Sequence, residues 1–212
     1  MKHKRLEMLF GEKEHGDLKS KKILLLGVGG VGSFCLDCLY RSGIEDITII
    51  DFDVYDESNQ NRQMWSELHL GESKVDALKS HYPNVIAINK KIDKEWVESF
   101  DFEPYDLVLD AIDDIHAKIA LVHKTHEKLI ASMGSAKRLD PTKMDFVSIW
   151  KTSGDKFASK MRYELRKSGF KGDFNVLFTT ELPNCKEKGS FVAVTGAFGL
   201  GMCAKAIERL NR

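Results

Sequence analysis

The sequence has 212 residues, 42% of them hydrophobic, and its 32 Lys and Arg residues balance 32 Asp and Glu residues. Zero net charge excludes a protein that is basic over its whole surface, as many nucleic-acid-binding proteins are, but permits a local basic patch. Four scattered cysteines and no recognisable signal peptide predict a cytoplasmic protein in a reducing compartment. We interpret residues 1–212 as one domain, with an N-terminal arm at 1–21 and a C-terminal segment at 143–212.

The first 22 residues are polar and charged, apart from a small apolar cluster at Leu6, Met8, Leu9 and Phe10. Apolar residues grouped in this way need a surface to pack against. We therefore predict a helical arm that packs on the body of the domain or on another subunit.

A glycine-rich turn follows the first predicted strand. The run Ile23–Leu26 is uninterrupted and aliphatic, as in a strand buried on both faces of a parallel sheet. Residues 31–41 have apolar positions at helical spacing, so free N–H groups at the start of this helix would point at an anion. Glycines let the backbone approach a phosphate closely, and we predict a nucleotide site here. Its glycines are Gly27, Gly29, Gly30 and Gly32.

Asp51 stands at the end of the second predicted strand, residues 47–50. A carboxylate at this position can accept hydrogen bonds from ribose hydroxyl groups. The glycine spacing also fits a nicotinamide dinucleotide, so an NAD-binding redox or sensor protein stays open as an alternative. Arg62 favours ATP, because a triphosphate must be neutralised before chemistry at phosphorus can proceed, whereas a dinucleotide site needs no such arginine.

Cys35 and Cys38 form a Cys-x-x-Cys pair in the predicted helix after the glycine turn. A four-sulfur zinc site needs a second pair, and the other two cysteines, Cys185 and Cys203, are isolated. We therefore interpret Cys35 and Cys38 as core residues rather than metal ligands.

Segments of helix and strand length alternate through the rest of the chain. The predicted helices are 72–82, 93–100 and 115–126, and the predicted strands are 85–88, 105–111, 129–133 and 146–150. This alternation predicts an α/β fold: a Rossmann-like, mostly parallel sheet flanked by helices, with additional C-terminal strands and a C-terminal helix.

Asp110 and Asp113 bracket the carboxyl end of one predicted strand. Open α/β sheets place their ligands at this edge. We predict that Asp113 holds Mg²⁺ against the nucleotide phosphates, because the ion would offset negative charge that develops on their oxygens. Asp114 is expected to contact the nucleotide, to cap the following helix, or to do both.

Residues 151–172 carry five Lys and two Arg against one Asp and one Glu. Phe157, Met161 and Leu165 recur every four residues, which predicts an amphipathic helix with a basic outer face. Such a face is either only solvated or contacts an RNA backbone, in which case binding weakens with salt. The apolar stretch 191–204 is shorter than the roughly 20 residues of a membrane span, which argues against membrane association.

Five motifs in order resemble the adenylating domain of the ubiquitin-activating superfamily, which includes the enzymes that activate sulfur-carrier proteins. The motifs are the glycine turn, Asp51-Phe-Asp53, Asn59-Gln-Asn-Arg62-Gln63, Gly71-Glu-Ser-Lys74-Val-Asp-Ala77 and Asp110-Ala-Ile-Asp113-Asp114. The resemblance covers about residues 5–204 and implies an ATP-dependent adenylating domain with Mg²⁺ and a homodimer.

The resemblance also implies roles for individual residues. Asp53, Asn59, Arg62 and Lys74 would lie at the nucleotide. Arg5 would reach across the dimer to the partner's triphosphate. The expected catalytic residues are Arg5, Arg62, Lys74 and Asp113.

The C-terminal half resembles one branch, the tRNA threonylcarbamoyladenosine dehydratases, at 134–142, 151–166 and 178–183. This implies ATP-dependent closure of the threonylcarbamoyl side chain of tRNA into a ring through an acyl-adenylate. The alternative is an adenylyltransferase that activates the C-terminus of a ubiquitin-like sulfur-carrier protein, with a sulfur-transfer or carrier protein as partner. Some activators use a cysteine in a loop after the core. Cys185 is the candidate, but intramolecular ring closure needs no thioester.

Overall fold

A computed structural model describes residues 3–211, and within them seven strands form one sheet. The strands are β1 Lys22–Leu26, β2 Asp46–Asp51, β3 Ile86–Asn89, β4 Leu107–Asp110, β5 Leu129–Ser132, β6 Met144–Ser148 and β7 Asn175–Thr179. Their order in the sheet is β3-β2-β1-β4-β5-β7-β6. All neighbours are parallel except β6, which runs antiparallel to β7 at the edge.

Helices cover both faces of the sheet. They are α1 Lys4–Phe10, α2 Glu12–Lys19, α3 Gly32–Arg41, α4 Lys74–His81, α5 Lys94–Ser99, α6 Ile115–Thr125, α7 Lys156–Lys167 and α8 Val192–Leu210. Residues of β1 alternate between two cores: Ile23 and Leu25 join the core with α2, α3, α4 and α8, while Leu24 and Leu26 join the core with α5, α6 and α7. The predicted mostly parallel α/β fold is confirmed, with β1 buried on both faces as expected.

The C-terminal part of the sheet differs from the prediction. Strand β7 was not predicted, although its Val176, Leu177 and Phe178 are fully or almost fully buried. It lies between β5 and β6, so β6 is the edge strand. The predicted basic helix is also shorter than 151–172, because Asp155 accepts hydrogen bonds from the N–H groups of Phe157 (2.8 Å) and Ala158 (3.4 Å) and caps α7 at its start.

The C-terminal helix α8 packs directly on α3, the helix that follows the glycine turn. A Cβ atom at Gly199 would lie 2.3 Å from the carbonyl oxygen of Val31, so only glycine permits this approach. Among residues 3–211, no helix is both long enough and apolar enough to span a bilayer.

The cysteines are arranged differently from the prediction. Cys35 is fully buried, as expected of a core residue, and burial raises the pKa of its thiol. Cys203 is not isolated, however, because its Sγ atom forms a disulfide bond with Sγ of Cys38, and the two Cα atoms are 6.1 Å apart. The two cysteines are 165 residues apart in the sequence, so local spacing could not predict that they pair. The pairing depends on the packing of α8 against α3.

The N-terminal arm is helical, as predicted. Helix α2 packs on the body through the buried residues His15 and Leu18, whereas α1 has no buried residue. On α1, Met8 and Leu9 are 78% and 74% exposed. The arm therefore presents apolar side chains to its surroundings.

Candidate nucleotide and substrate site

The glycine turn lies at the carboxyl end of β1 and at the N-terminus of α3. Gly27 has φ +82°, and a Cβ atom there would lie 2.9 Å from backbone atoms of Ala111. A Cβ atom at Gly30 would lie 3.2 Å from Cγ of Arg62. The contact at Gly27 requires glycine, and the close approach at Gly30 brings the stem of Arg62 against the turn, where a phosphate can meet backbone N–H groups and a guanidinium.

Asp51 fixes the turn to the end of β2. One carboxylate oxygen accepts a hydrogen bond from the N–H of Val28 at 2.8 Å, and the other accepts one from the N–H of Asp53 at 2.9 Å. A carboxylate oxygen can accept a second hydrogen bond, so Asp51 retains acceptor capacity for ribose hydroxyl groups. This side chain is therefore both a brace for the turn and a candidate ribose ligand.

Asp53 and Lys74 form an ion pair of 2.8 Å between Oδ2 and Nζ. Lys74 is the first residue of α4 and is only 4% exposed, and its N–H donates to the carbonyl of Asp53 at 3.0 Å. Lys74 is thus held by one side-chain contact and one backbone contact to the same residue. Phosphate oxygens that approach it would share this cation with Asp53.

The segment that carries Arg62 begins with a capping box. Asn59 Nδ2 donates to Asp56 Oδ1 at 2.9 Å and holds the short helix in which Asn59 lies. Arg62 Nη1 donates to the carbonyl of Ser58 at 2.6 Å and to Asn61 Oδ1 at 2.9 Å. The guanidinium is positioned by its own turn and keeps its other N–H groups for a ligand.

The three carboxylates after β4 have different environments. Asp110 is fully buried and pairs with Nζ of Lys118 at 2.8 Å. Burial raises the pKa of Asp110, and the charge of Lys118 opposes this change. Asp114 caps α6 by accepting from the N–H of Ala117 at 2.7 Å, so the N-cap role is confirmed. Asp113 is exposed, which leaves its carboxylate accessible to a cation.

These groups surround a cleft of about 600 Å³, the nucleotide cleft. Ten of the predicted nucleotide residues line it, namely Gly27, Gly29, Gly30, Asp51, Asp53, Asn59, Arg62, Lys74, Asp113 and Asp114. The sequence motifs therefore meet in space. Gly32 is buried at the start of α3, where a Cβ atom would lie 1.9 Å from the carbonyl oxygen of Gly27, and it does not line the cleft. Arg5 is exposed on α1, outside the cleft lining.

A second cavity of about 850 Å³ adjoins the nucleotide cleft. We call it the basic cavity, because its lining includes the cationic side chains of Arg62, Lys137, Arg138, Lys156, Lys186 and Lys188. Arg62 and Asp113 line both spaces. Cys185 also lines the basic cavity and is exposed, with a free thiol.

Two residues of this region were given no role from the sequence, although Gln63 belongs to the motif that ends with it. Gln63 is 8% exposed and lines the nucleotide cleft, and its Oε1 atom has no hydrogen-bond partner within residues 3–211. Lys118 is completely buried and donates to the carbonyl of Ser132 at 3.0 Å. Its position could have been found, because it lies three residues from both Ile115 and Leu121 on the apolar face of α6.

The fold and the cleft together define a nucleotide-binding protein of the doubly wound α/β class. The model of the ThiF family matches residues 3–212. The chain belongs to the ThiF family, and the superfamily predicted from the five motifs is confirmed.

Similar proteins share both sequence and fold with this chain. It is 38% identical over 189 residues to tRNA threonylcarbamoyladenosine dehydratase from Bacillus subtilis, which covers 84% of this chain and 74% of that protein. The structure of Escherichia coli tRNA N6-threonylcarbamoyladenosine dehydratase in complex with ATP has a TM-score of 0.91 at 28% identity, and covers 99% of this chain and 93% of that one. The chain spans only 42% and 43% of two Saccharomyces cerevisiae relatives.

A relative with a different name is more distant. Molybdopterin-synthase adenylyltransferase from Haemophilus influenzae is 26% identical over 202 residues, which covers 92% of this chain and 75% of that protein.

Proposed function

We propose that this protein catalyses the ATP-dependent dehydration of threonylcarbamoyladenosine in tRNA through an acyl-adenylate. The observation that carries the proposal is the junction of two spaces: the nucleotide cleft opens beside a cavity lined by cations, and Arg62 and Asp113 line both. A nucleotide and an anionic acyl substrate can thus meet at one place. The names of the relatives from Bacillus subtilis and Escherichia coli support this choice of substrate.

ATP is expected to place its phosphates at the glycine turn and its ribose at Asp51. Arg62 and Lys74 neutralise the phosphates, and Asp53 and Asn59 keep these cations and their segment in position. Preorganised charges of this kind stabilise the transition state, because they need little reorganisation when negative charge develops.

The residues present fit Mg²⁺ when it arrives with the nucleotide. Among residues 3–211, no cluster of three or more His, Cys, Asp or Glu residues forms a complete metal site. Mg²⁺ usually takes one or two carboxylates and completes its shell with phosphate oxygens and water. The exposed carboxylate of Asp113 supplies such a ligand, with Asp114 next to it. Bound there, the ion would offset charge on the phosphate oxygens.

The proposed reaction has two steps. A carboxylate oxygen of the threonylcarbamoyl group bonds to the α-phosphorus of ATP as the bond to pyrophosphate breaks. A nitrogen of the same side chain then bonds to the activated carbonyl carbon, loses its proton, and AMP leaves with the former carboxylate oxygen. The nucleoside thereby loses the elements of one water. The protein contributes position and charge stabilisation, since both reacting groups belong to one substrate.

Helix α7 is the candidate contact for the tRNA backbone. Met161 and Leu165 are completely buried, so the basic residues lie on the opposite, outer face as predicted. The exposed cations of residues 151–172 are Lys151, Lys156, Lys160, Arg166, Lys167 and Lys171. Lys156 also lines the basic cavity, which connects this face to the proposed reaction centre.

A homodimer would complete the site. Arg5 lies on the exposed helix α1 beside apolar residues that a second copy could cover, namely Met8 and Leu9. If Arg5 acts in the partner's cleft, mixing inactive Arg5→Ala and Arg62→Ala proteins will restore activity, because mixed dimers contain one site with both arginines intact. No recovery in exchanged dimers would contradict action across the dimer.

The alternative function is activation of the C-terminus of a ubiquitin-like carrier protein, favoured by the likeness to the Haemophilus influenzae adenylyltransferase. This function would be recognised by ATP–pyrophosphate exchange that occurs only when the carrier protein is present. An NAD-binding protein would instead bind NADH more tightly than ATP.

We place the proposed reaction in the cytoplasm, although cytosolic proteins rarely keep disulfides such as Cys38–Cys203.

The decisive experiment incubates the protein with ATP, Mg²⁺ and tRNA that carries threonylcarbamoyladenosine. Mass spectrometry of the digested tRNA should show loss of one water from that nucleoside, dependent on ATP. The Arg62→Ala protein is the matched control, since its fold should persist while its phosphate contact is lost. Unchanged nucleoside mass with a protein that binds ATP would refute the dehydratase assignment.

A further inference from the structure

Arg138 is a buried arginine without a partner for one of its donors. It is 5% exposed, and its Nε–H has no hydrogen-bond partner within residues 3–211. Buried cations are normally paired or neutralised, because removing an unpaired charge from water is costly. Arg138 lines the basic cavity, so a ligand in this cavity could supply the missing acceptor.

The loop around Arg138 is held from both sides. Glu181 accepts hydrogen bonds from the N–H groups of Leu139 (3.1 Å) and Asp140 (2.9 Å), directly after the arginine. Lys137, directly before it, donates its N–H to the carbonyl of Gly189 at 2.8 Å and accepts from the N–H of Asn184 at 2.9 Å. The arginine is therefore positioned before any ligand arrives.

The backbone at Lys137 adds a second observation. This residue has φ +67°, in the left-handed region that side-chain-bearing residues rarely adopt. Such a conformation costs about 1–3 kcal/mol and persists where surrounding contacts hold it, often at ligand sites. Here it turns the chain immediately before the residue that lines the cavity.

The carboxylate of Asp155, which also lines the basic cavity, does not accept a hydrogen bond from Nε of Arg138. Asp155 is in electrostatic range of Arg138, but its oxygens accept from the N–H groups of Phe157 (2.8 Å), Ala158 (3.4 Å) and Gly134 (3.2 Å). Burial raises the pKa of Asp155, and these hydrogen bonds and the charge of Arg138 lower it. Asp155 thus caps α7 and anchors the loop, and the Nε donor of Arg138 stays available for another anion.

We infer that Arg138 binds the carboxylate of the threonylcarbamoyl group in the basic cavity and presents it to the nucleotide. The inference rests on the proposed function and names the residue that recognises its substrate. Arginine suits this task, because its planar set of donors matches a carboxylate. The same donors would hold the carbonyl oxygen of the acyl-adenylate, which gains negative charge when the side-chain nitrogen adds.

The test measures binding of two small probes to the full protein saturated with a non-hydrolysable ATP analogue. The probes are the nucleoside threonylcarbamoyladenosine and its methyl ester, which lacks the carboxylate charge. The wild-type protein should bind the acid about 10- to 100-fold more tightly than the ester, as expected for charged hydrogen bonds. Arg138→Gln should bind acid and ester equally, with its affinity for the ATP analogue unchanged.

Two further variants separate recognition from general charge and from folding. Lys13→Gln removes an exposed positive charge on α2, outside the lining of the cavity, and should keep the preference for the acid. Arg138→Lys keeps the charge without the forked donors and should retain only part of that preference. Thermal unfolding of each variant checks that the fold persists.

The outcomes distinguish this inference from the proposed function. Equal binding of acid and ester by the wild-type protein, no binding of the acid, or an intact preference in Arg138→Gln each overturns the inference. Dehydration of tRNA by that same wild-type protein would show that the proposed function stands without it. Conversely, a preference that depends on Arg138, together with no dehydration of tRNA, would retain carboxylate recognition and refute the proposed function.

Discussion

The nucleotide cleft and the basic cavity form the nucleotide end and the substrate end of the site, and they differ in how their charges are compensated. In the nucleotide cleft, the polar groups already contact one another: Lys74 pairs with Asp53, and Arg62 donates to its own turn. In the basic cavity, six cationic side chains share the lining with the carboxylates of Asp113 and Asp155, and Nε of Arg138 has no acceptor within residues 3–211. ATP therefore has to compete with internal contacts, whereas an anionic substrate would meet a donor of Arg138 that has no acceptor among the described residues.

The arrangement of strands explains this difference. Strands β1 to β4 are parallel, and the segments that follow β1, β2 and β4 place polar groups along one edge of the sheet. Beyond β5, the loops at 133–140 and 182–190 contact each other and carry most of the cations of the basic cavity. Long loops over a fixed edge carry the residues that select a substrate.

The largest expected effect tests the nucleotide end. Arg62→Ala should lower turnover about 10³-fold or more, since an arginine at a reacting phosphate contributes on that scale. Stability should hardly change, because Arg62 makes contacts only within its own turn and against Gly30. Single-turnover kinetics and thermal unfolding measure the two effects, and unchanged turnover would remove Arg62 from the mechanism.

The next prediction tests the buried ion pair of Asp110 and Lys118, which joins the end of β4 to α6 and β5. Lys118→Met leaves Asp110 as an uncompensated buried carboxylate between β4 and β5 and should cost about 3–5 kcal/mol of the free energy of unfolding. Protonation of Asp110 removes this charge, so the loss should shrink as the pH falls. Denaturant unfolding at several pH values measures it.

The double variant Lys118→Met with Asp110→Asn is the control for this prediction. It removes both charges and should recover much of the loss. If the single variant is as stable as the wild-type protein at neutral pH, the buried pair of Asp110 and Lys118 does not contribute the predicted stability.

A smaller effect tests the backbone geometry of the nucleotide end. Gly27→Ala should destabilise the protein by about 1–3 kcal/mol and weaken ATP binding, because φ is +82° and the new Cβ atom would meet Ala111. Gly16 in α2 has open space around it, and Gly16→Ala should stabilise by about 0.5–1 kcal/mol. Equal effects of the two changes on unfolding would contradict this account.

The substrate end is tested by its salt dependence. Replacing Lys160 and Lys167 with Gln should weaken tRNA binding and reduce the slope of log affinity against log salt by about 1 for each lost phosphate contact. Lys13→Gln on α2, on the opposite face of the sheet, is the matched control. A slope that falls equally in the control would show that α7 is merely solvated.

The smallest effect concerns Glu181, whose carboxylate holds the backbone of the loop that follows Arg138. Hydrogen bonds from the N–H groups of Asp140 and Leu139 and from Asn184 hold the pKa of Glu181 below its ordinary value. Stability from Glu181 is therefore present above the ordinary pKa and is lost as the pH falls through the lower, folded value. The stability difference between wild-type protein and Glu181→Gln should be constant near neutral pH and shrink in acid. A difference independent of pH would rule out this charge effect.

Much of the nucleotide end was predictable. Gly27, Asp51 and Arg62 lie in short motifs around predicted strands, and the parallel sheet brings the ends of these strands to one edge. The prediction failed where distant segments meet. Strand β7 at Asn175–Thr179 was missed, and Cys203 was taken as isolated although its disulfide partner lies 165 residues away in the sequence.

The sequence by itself determined the family, the mostly parallel α/β fold and ten residues that line the nucleotide cleft, because each rests on local motifs and on the alternation of helices and strands. Only the tertiary structure decided which charges are paired. Lys118 is paired with Asp110, whereas Nε of Arg138 is buried with no acceptor in the part of the chain that the structure describes, and both are ordinary basic residues in the sequence. Burial and pairing depend on which distant segments pack together, and that information is absent from any single stretch of the chain.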